Sequence, residues 1–208
     1  QMEALSEDVL IKVVSHIDDP VTTTDELIPS GETSSYRSNP LALARFTLSR
    51  RDPDYVKQAQ MVTNLSEKEI DDLKKVFDIQ KKVNIGSAIY ANKPGDGSAR
   101  EQAASCQRVL GAQANFAKEY ATKRYRSNCI NWGILPFVVE DERLFQKGNW
   151  VYIKDIKKAL DEDLKIKALV YDGNKIEETY LSITPLSKEE KEILACGNLI
   201  NYYRKKGS

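Results

Sequence analysis

The chain has 208 residues, enough for one well-formed core without disulfide staples. Its 31 Lys and Arg balance 31 Asp and Glu. Zero formal charge argues against a protein whose main task is gripping nucleic acid or an anionic membrane, because both need a basic excess. Apolar residues at 41% beside charged residues at 30% place the chain among globular rather than disordered sequences. No apolar run approaches the roughly 18 residues of a membrane span, and no signal-peptide pattern opens the chain, so a cytoplasmic address is expected.

Val9-Leu10-Ile11-Lys12-Val13-Val14 is short, β-branched and apolar, and predicts a strand. A polar loop with Pro20, Pro29 and Gly31 follows. Asn39-Pro40 supplies a cap and a first-turn proline for a helix to about residue 49, and Asp52-Pro53 repeats the device for the next helix. Ser66-Glu67-Lys68-Glu69 is a capping box that opens an amphipathic helix to Phe77.

The second half alternates between strand and helix. Residues 83–90 predict a buried strand, 98–110 a helix closed by Gly111, 112–117 a strand, 121–132 a helix ended by Gly133, and 134–139 a strand. Short links in a strand–helix–strand–helix–strand order imply parallel pairing. The C-terminal third is different in character. There, residues 151–153, then 166–171 and 176–183 around Asp172-Gly173, predict an antiparallel hairpin region. Ser187-Lys188-Glu189-Glu190 caps a last helix to Ala195, which residues 198–206 extend. No internal repeat or low-complexity linker divides residues 1–208. The expected architecture is a single α/β domain with a partly parallel sheet flanked by helices and a C-terminal hairpin and helix at 149–206.

Cys106, Cys129 and Cys196 are widely spaced and His16 is the sole histidine. A zinc site or iron–sulfur cluster held by this chain alone needs about four converging ligands. The cysteines therefore read as buried reduced thiols, His16 as a packed or surface imidazole, and no metal site is expected. One histidine also argues against a Ser–His–Asp triad.

The informative stretch is Tyr90-Ala91-Asn92-Lys93-Pro94-Gly95-Asp96-Gly97-Ser98-Ala99-Arg100-Glu101-Gln102. A strand runs into a glycine-containing loop that ends on a serine at the start of a helix, where free N–H groups and the helix dipole favour an anion. Arg100 adds a fork suited to carboxylate or phosphate. Ser98 with Glu101 is also a capping box, so the spacing alone leaves cap and anion site both open. The phosphate-loop and dinucleotide-loop patterns are missing. Arg37, in Tyr36-Arg37-Ser38-Asn39, is a second candidate cation at the end of a polar loop, and solvent exposure is its plain alternative.

These residues carry a family resemblance. Gly97-Ser98-Ala99-Arg100-Glu101-Gln102-Ala103-Ala104 followed by Arg108-Val109-Leu110-Gly111 resembles the aconitase-family stretch G-S-S-R-E-H-A-A…R-x-L-G. Ala117-Lys118-Glu119-Tyr120-Ala121 and Asn128-Cys129-Ile130-Asn131-Trp132-Gly133-Ile134-Leu135-Pro136 are similar to its A-K-S-F-A and N-L-I-N-x-G-I-L-P. Upstream, Thr23-Thr24-Asp25 with Pro29-Ser30-Gly31 resembles T-T-D-H-I-x-P-A-G, and Tyr36-Arg37-Ser38-Asn39 and Arg51-Asp52-Pro53 are similar to the R-S-N and R-x-D-P signatures of bacterial single-chain members. The motifs run in family order through residues 9–139 and resemble one part only, the C-terminal swivel domain.

The resemblance implies a swivelling β/β/α domain of a hydro-lyase that dehydrates and rehydrates citrate and isocitrate via cis-aconitate. It implies Ser98 as the base, Arg37, Arg100 and the Ala99 backbone N–H as carboxylate binders, and Asp25 and Glu101 as their supports. The family's 4Fe–4S cluster sits on other domains, so this chain implies a cluster-binding N-terminal body or large subunit as partner. The small subunit of an isopropylmalate-isomerase-like enzyme is the alternative, and an RNA-binding relative a third reading that zero net charge disfavours. Ala99, Gln102 and Glu26 stand where the family has serine, histidine and histidine.

Overall fold

The computed structural model describes residues 3–29, 39–98, 101–162 and 165–207. Strand β1 (Asp8–Ile17) is the seam of a closed seven-stranded barrel. On one side it pairs in parallel with β3 (Val83–Ala91), and the parallel order continues through β5 (Ala112–Ala117) and β6 (Leu135–Val139). On its other side β1 pairs antiparallel with β7 (Trp150–Ile153), which leads to β8 (Ile166–Tyr171) and β9 (Ile176–Ser182). β9 meets β6 antiparallel and closes the ring. A minor sheet pairs β2 (Thr22–Thr23) with β4 (Pro94–Asp96).

Helices α1 (Thr24–Leu27), α2 (Pro40–Ala44), α3 (Tyr55–Thr63) and α4 (Glu67–Phe77) fill the first crossover. α5 (Gln102–Val109) and α6 (Lys123–Asn131) make the next two, and α7 (Ile156–Glu162), α8 (Lys188–Cys196) and α9 (Leu199–Lys206) follow.

Period-two alternation sorts the strand side chains into two cores. Val9, Ile11 and Val13 join Ala88, Phe116, Phe137, Val151, Ala168 and Leu181 in a cluster drawn from all seven strands, which is the barrel interior. Leu10 and Val14 instead join Ile89, Leu43, Tyr55 and Ala103 under the helices. A register shift between Val13 and Ser15 reverses the alternation at the end of β1. Ser15 then donates to Asp52 at 2.6 Å and Ile17 enters the outer core, while His16 stacks on Tyr90 at 4.4 Å. Phe116 and Phe137 are fully buried, and truncating either to alanine is worth about 3–5 kcal/mol.

Several expectations are corrected. The expected α/β class, with a partly parallel sheet and a C-terminal antiparallel hairpin region, is present, and the sheet in addition closes into one ring, because β7 and β9 pair with β1 and β6 over long sequence distances. The helix expected from Ser98 begins at Gln102, its cap position is Glu101, and no side chain caps it. The helix expected to run from residue 40 to about 49 ends at Ala44. The N-cap position of α3 is Asp54 rather than Asp52; the Asp54 side chain makes no cap bond, and its N–H donates to Asp52 Oδ1 at 3.2 Å. The terminal helix breaks at Gly197, φ +101°, where Asn198 caps α9 by accepting from the Asn201 N–H at 2.8 Å. Cys106 and Cys129 are buried as expected, but Cys196 is only half-buried. The capping boxes at Ser66 and Ser187 form as predicted.

Candidate active site

β1, β3 and β5 all end at the same mouth of the barrel, and the loop after β3 fills it. The carboxyl ends of parallel strands are where open α/β sheets gather ligands. Asn92 begins the loop by donating to the Asp18 carbonyl at 2.8 Å and the Asp19 carbonyl at 3.2 Å. Its own carbonyl accepts from the Lys118 and Glu119 N–H groups, each at 3.2 Å. The Pro94 carbonyl accepts from the Ala121 N–H at 3.0 Å, and the Gly95 carbonyl from Thr122 Oγ1 at 3.1 Å. Thr122 also caps α6 by accepting from the Tyr125 N–H at 3.1 Å.

Two glycines let the loop take this path. Gly95 has φ +97°, and a Cβ there would lie 2.4 Å from the Tyr125 ring. Gly97 has φ +88°, and among the described residues a Cβ there would meet nothing nearer than Thr24 Oγ1 at 3.9 Å, so its requirement is conformational.

Across the minor sheet, Thr24 Oγ1 donates to the Ser98 carbonyl at 2.7 Å. Thr24 is buried and starts α1, whose N-cap Thr23 accepts from the Glu26 N–H at 3.1 Å. α1 is held from behind by the Leu48 N–H, which donates to the Leu27 carbonyl at 2.9 Å. Four residues on, Asp52 accepts from Ser15, and Arg51 pairs with Asp19. Three motifs from elsewhere in the sequence, around residues 24, 51 and 120, therefore converge on the one loop from Asn92 to Ser98.

Ser98 is exposed at the end of this assembly. Glu101 is exposed as well, and its carboxylate accepts from Trp132 Nε1 at 3.1 Å, so the Ser98–Glu101 capping box does not form. Asp25 is exposed and pairs with Arg50 at 3.7 Å. Arg37, Ala99 and Arg100 lie outside the described residues. Sequence reasoning misses Asn92, Thr122 and Tyr125 as holders of the loop, and it gives Thr24 no role of its own. Their partners sit 74, 27 and 30 residues away for Asn92, Thr122 and Tyr125, distances that only the fold closes.

His16 has a structural place. Its Nδ1 lies 2.6 Å from the Phe145 carbonyl and its Nε2 2.8 Å from Asp18. Cys129 Sγ accepts from Asn115 Nδ2 at 3.4 Å, and burial pushes its thiol up to about 12. Among the described residues no group of three or more His, Cys, Asp or Glu side chains could hold a metal ion. Nor is any described helix long and apolar enough to cross a membrane.

Fold and loop together define an α/β barrel domain that presents a serine at the mouth of its parallel strands. Residues 43–142 match the aconitase C-terminal domain family. The methanogen homoaconitase small subunit of Methanocaldococcus jannaschii is 35% identical over 127 residues, 61% of this chain and 66% of that protein. The 3-isopropylmalate dehydratase small subunit 1 of Thermotoga maritima is 32% identical over 132 residues, 63% of this chain and 72% of that protein. A crystal structure of 3-isopropylmalate dehydratase from M. jannaschii shares the fold, with a TM-score of 0.62 at 24% identity over 98% of this chain and 96% of the other. The chain belongs to the aconitase family, in its C-terminal domain class.

Proposed function

We propose that this chain is the small subunit of a two-subunit hydro-lyase of the homoaconitase and isopropylmalate-dehydratase kind, and that Ser98 is its base. Both curated relatives are small subunits. That favours a separate subunit over the citrate-and-isocitrate swivel domain as the reading of this chain.

One observation carries the assignment of Ser98: the hydrogen bond from Thr24 Oγ1 to the Ser98 carbonyl. It leaves the Ser98 side chain exposed while fixing the backbone beneath it, and a base must be held in register with the proton it removes. In the dehydration direction the Ser98 alkoxide takes the proton alpha to a carboxylate, the electron pair forms the new double bond, and the hydroxyl leaves. Rehydration reverses each movement. The Ala99 N–H and Arg100 bind the adjacent carboxylate, and Asp25 and Glu101 support them. Arg37 takes a further carboxylate, which favours a hydroxy-tricarboxylate over isopropylmalate as substrate. We assign the family's 4Fe–4S cluster to a large-subunit partner, because both curated relatives are small subunits and Cys106, Cys129 and Cys196 lack the spacing of cluster ligands.

The test is co-expression with the cluster-bearing large subunit, anaerobic purification and assay on homoaconitate, isopropylmalate and cis-aconitate. Ser98→Ala should lower kcat by at least about a thousandfold with little change in KM. Retention of more than about a tenth of wild-type kcat, under ~1.4 kcal/mol of barrier, overturns the base assignment. Turnover of isopropylmalate alone would move the substrate reading to the dicarboxylate enzyme.

A further inference from the structure

We propose that Trp132 is a positioning residue for the Ser98 loop, anchored in turn by the C-terminal helix pair α8–α9. The inference rests on the reading of Ser98 as base and adds a support from outside the loop. Glu101 stands three residues after Ser98, at the uncapped start of α5. Its backbone carbonyl accepts from the Ala104 and Ser105 N–H groups, so it belongs to the helix, while its carboxylate reaches across to the Trp132 indole N–H at 3.1 Å.

Trp132 is itself held. It ends α6, where its N–H donates to the Asn128 and Cys129 carbonyls, each at 3.1 Å. The next residue, Gly133, is pressed onto the Gly197 carbonyl so closely that a Cβ on it would lie 1.8 Å from that oxygen. Gly197 is the break between α8 and α9. Trp132 also lines a cavity of about 240 Å³ together with Asn128, Asn131, Asn198 and Ile200, so the start of α9 faces the same cavity. A contact line thus runs from the α8–α9 junction through Gly133 and Trp132 to Glu101. It begins beyond residue 142, where the family match ends.

A single partly exposed hydrogen bond adds little stability. Its leverage is geometric, because small displacements of a base from its proton cost large factors in rate. Trp132→Phe keeps the ring and removes the donor; Glu101→Ala removes the acceptor at an exposed position. In the enzyme assembled with its large subunit, each change should lower kcat about tenfold while KM stays within about threefold. The double variant should be no worse than the worse single one, since both break one link. Glu101→Gln keeps an oxygen acceptor and should lose less kcat than Glu101→Ala.

Wild-type kcat in both single variants, losses that multiply in the double variant, or kcat losses that merely follow a falling melting temperature would each overturn the proposal. If Trp132→Phe does not fold, the comparison of Glu101→Ala with Glu101→Gln decides it. Ser98→Ala, assayed in parallel, separates the two readings. An active Ser98→Ala enzyme overturns both, whereas an inactive one beside a fully active Trp132→Phe overturns only the support by Trp132.

Discussion

Thr24 and Ser98 are 74 residues apart in sequence and 2.7 Å apart in space, the threonine hydroxyl donating to the serine's carbonyl. The bond joins the first crossover of the barrel to the second at the mouth where β1 and β3 end. Thr24→Val keeps the shape and removes the donor. It should cost about 0.5–1.5 kcal/mol, the range of one net hydrogen bond, readable as a shift in denaturation midpoint. In the assembled enzyme it should also lower kcat more than that stability loss explains.

The two loop glycines should respond differently to alanine. At Gly97, among the described residues, the new methyl meets only Thr24 Oγ1, at 3.9 Å, so the penalty is that of an L-residue at φ +88°, about 1–2 kcal/mol. At Gly95 the same conformational penalty is joined by overlap with the Tyr125 ring. Gly95→Ala should therefore be the more destabilising in thermal unfolding, by roughly 1–3 kcal/mol of overpacking. Equal melting temperatures would contradict this packing.

Thiol chemistry should distinguish the three cysteines. Cys106 and Cys129 are buried, Cys196 is half-buried, and the Cys129 thiol is pushed up to about 12 by burial. Thiolate is the reactive form. A disulfide reagent at pH 8 should modify Cys196 first and the other two only after denaturation. Rapid reaction of Cys129 in the native protein would contradict the core assigned to it.

High pH should unfold the chain through its tyrosines. Burial raises Tyr55, Tyr120 and Tyr125, and Tyr90 rises to about 12 by burial and the nearby Glu142 and Asp18 charges. Tyr152 is raised by burial and by donating to Asp8 at 2.6 Å. The native state holds these protons more tightly than the unfolded state, whose tyrosines titrate near 10. Their stabilising contribution is whole below pH ~10 and is lost as pH climbs toward 12 and beyond. Phenolate absorbance should rise together with loss of circular dichroism. Free titration of every tyrosine near pH 10 in a folded chain would contradict the burial.

The candidate site is legible in the sequence only in part. Its serine and glycines stand in one contiguous stretch, and contiguous residues announce themselves by order alone. The Ser-x-x-Glu spacing marks Glu101 as the far half of a capping box. In the fold its carboxylate goes instead to Trp132, 31 residues away. No local pattern distinguishes a carboxylate that turns back on its own helix from one that crosses to another.

Local chemistry decided most of the elements: β-branched runs made the strands, and Ser66 and Ser187 made the capping boxes, because each such preference acts within a few residues. Family membership was legible for a related reason, since ordered motifs survive as text. Tertiary structure alone decided that the sheet closes, because the β1–β7 pairing joins Val9 to Ile153, and a ladder of that span leaves no periodic trace in either strand. It also decided that Thr24, Asn92, Thr122 and Tyr125 would hold one loop. A hydrogen bond or close packing contact depends on a few ångströms in space, and the distance along the chain says nothing about it.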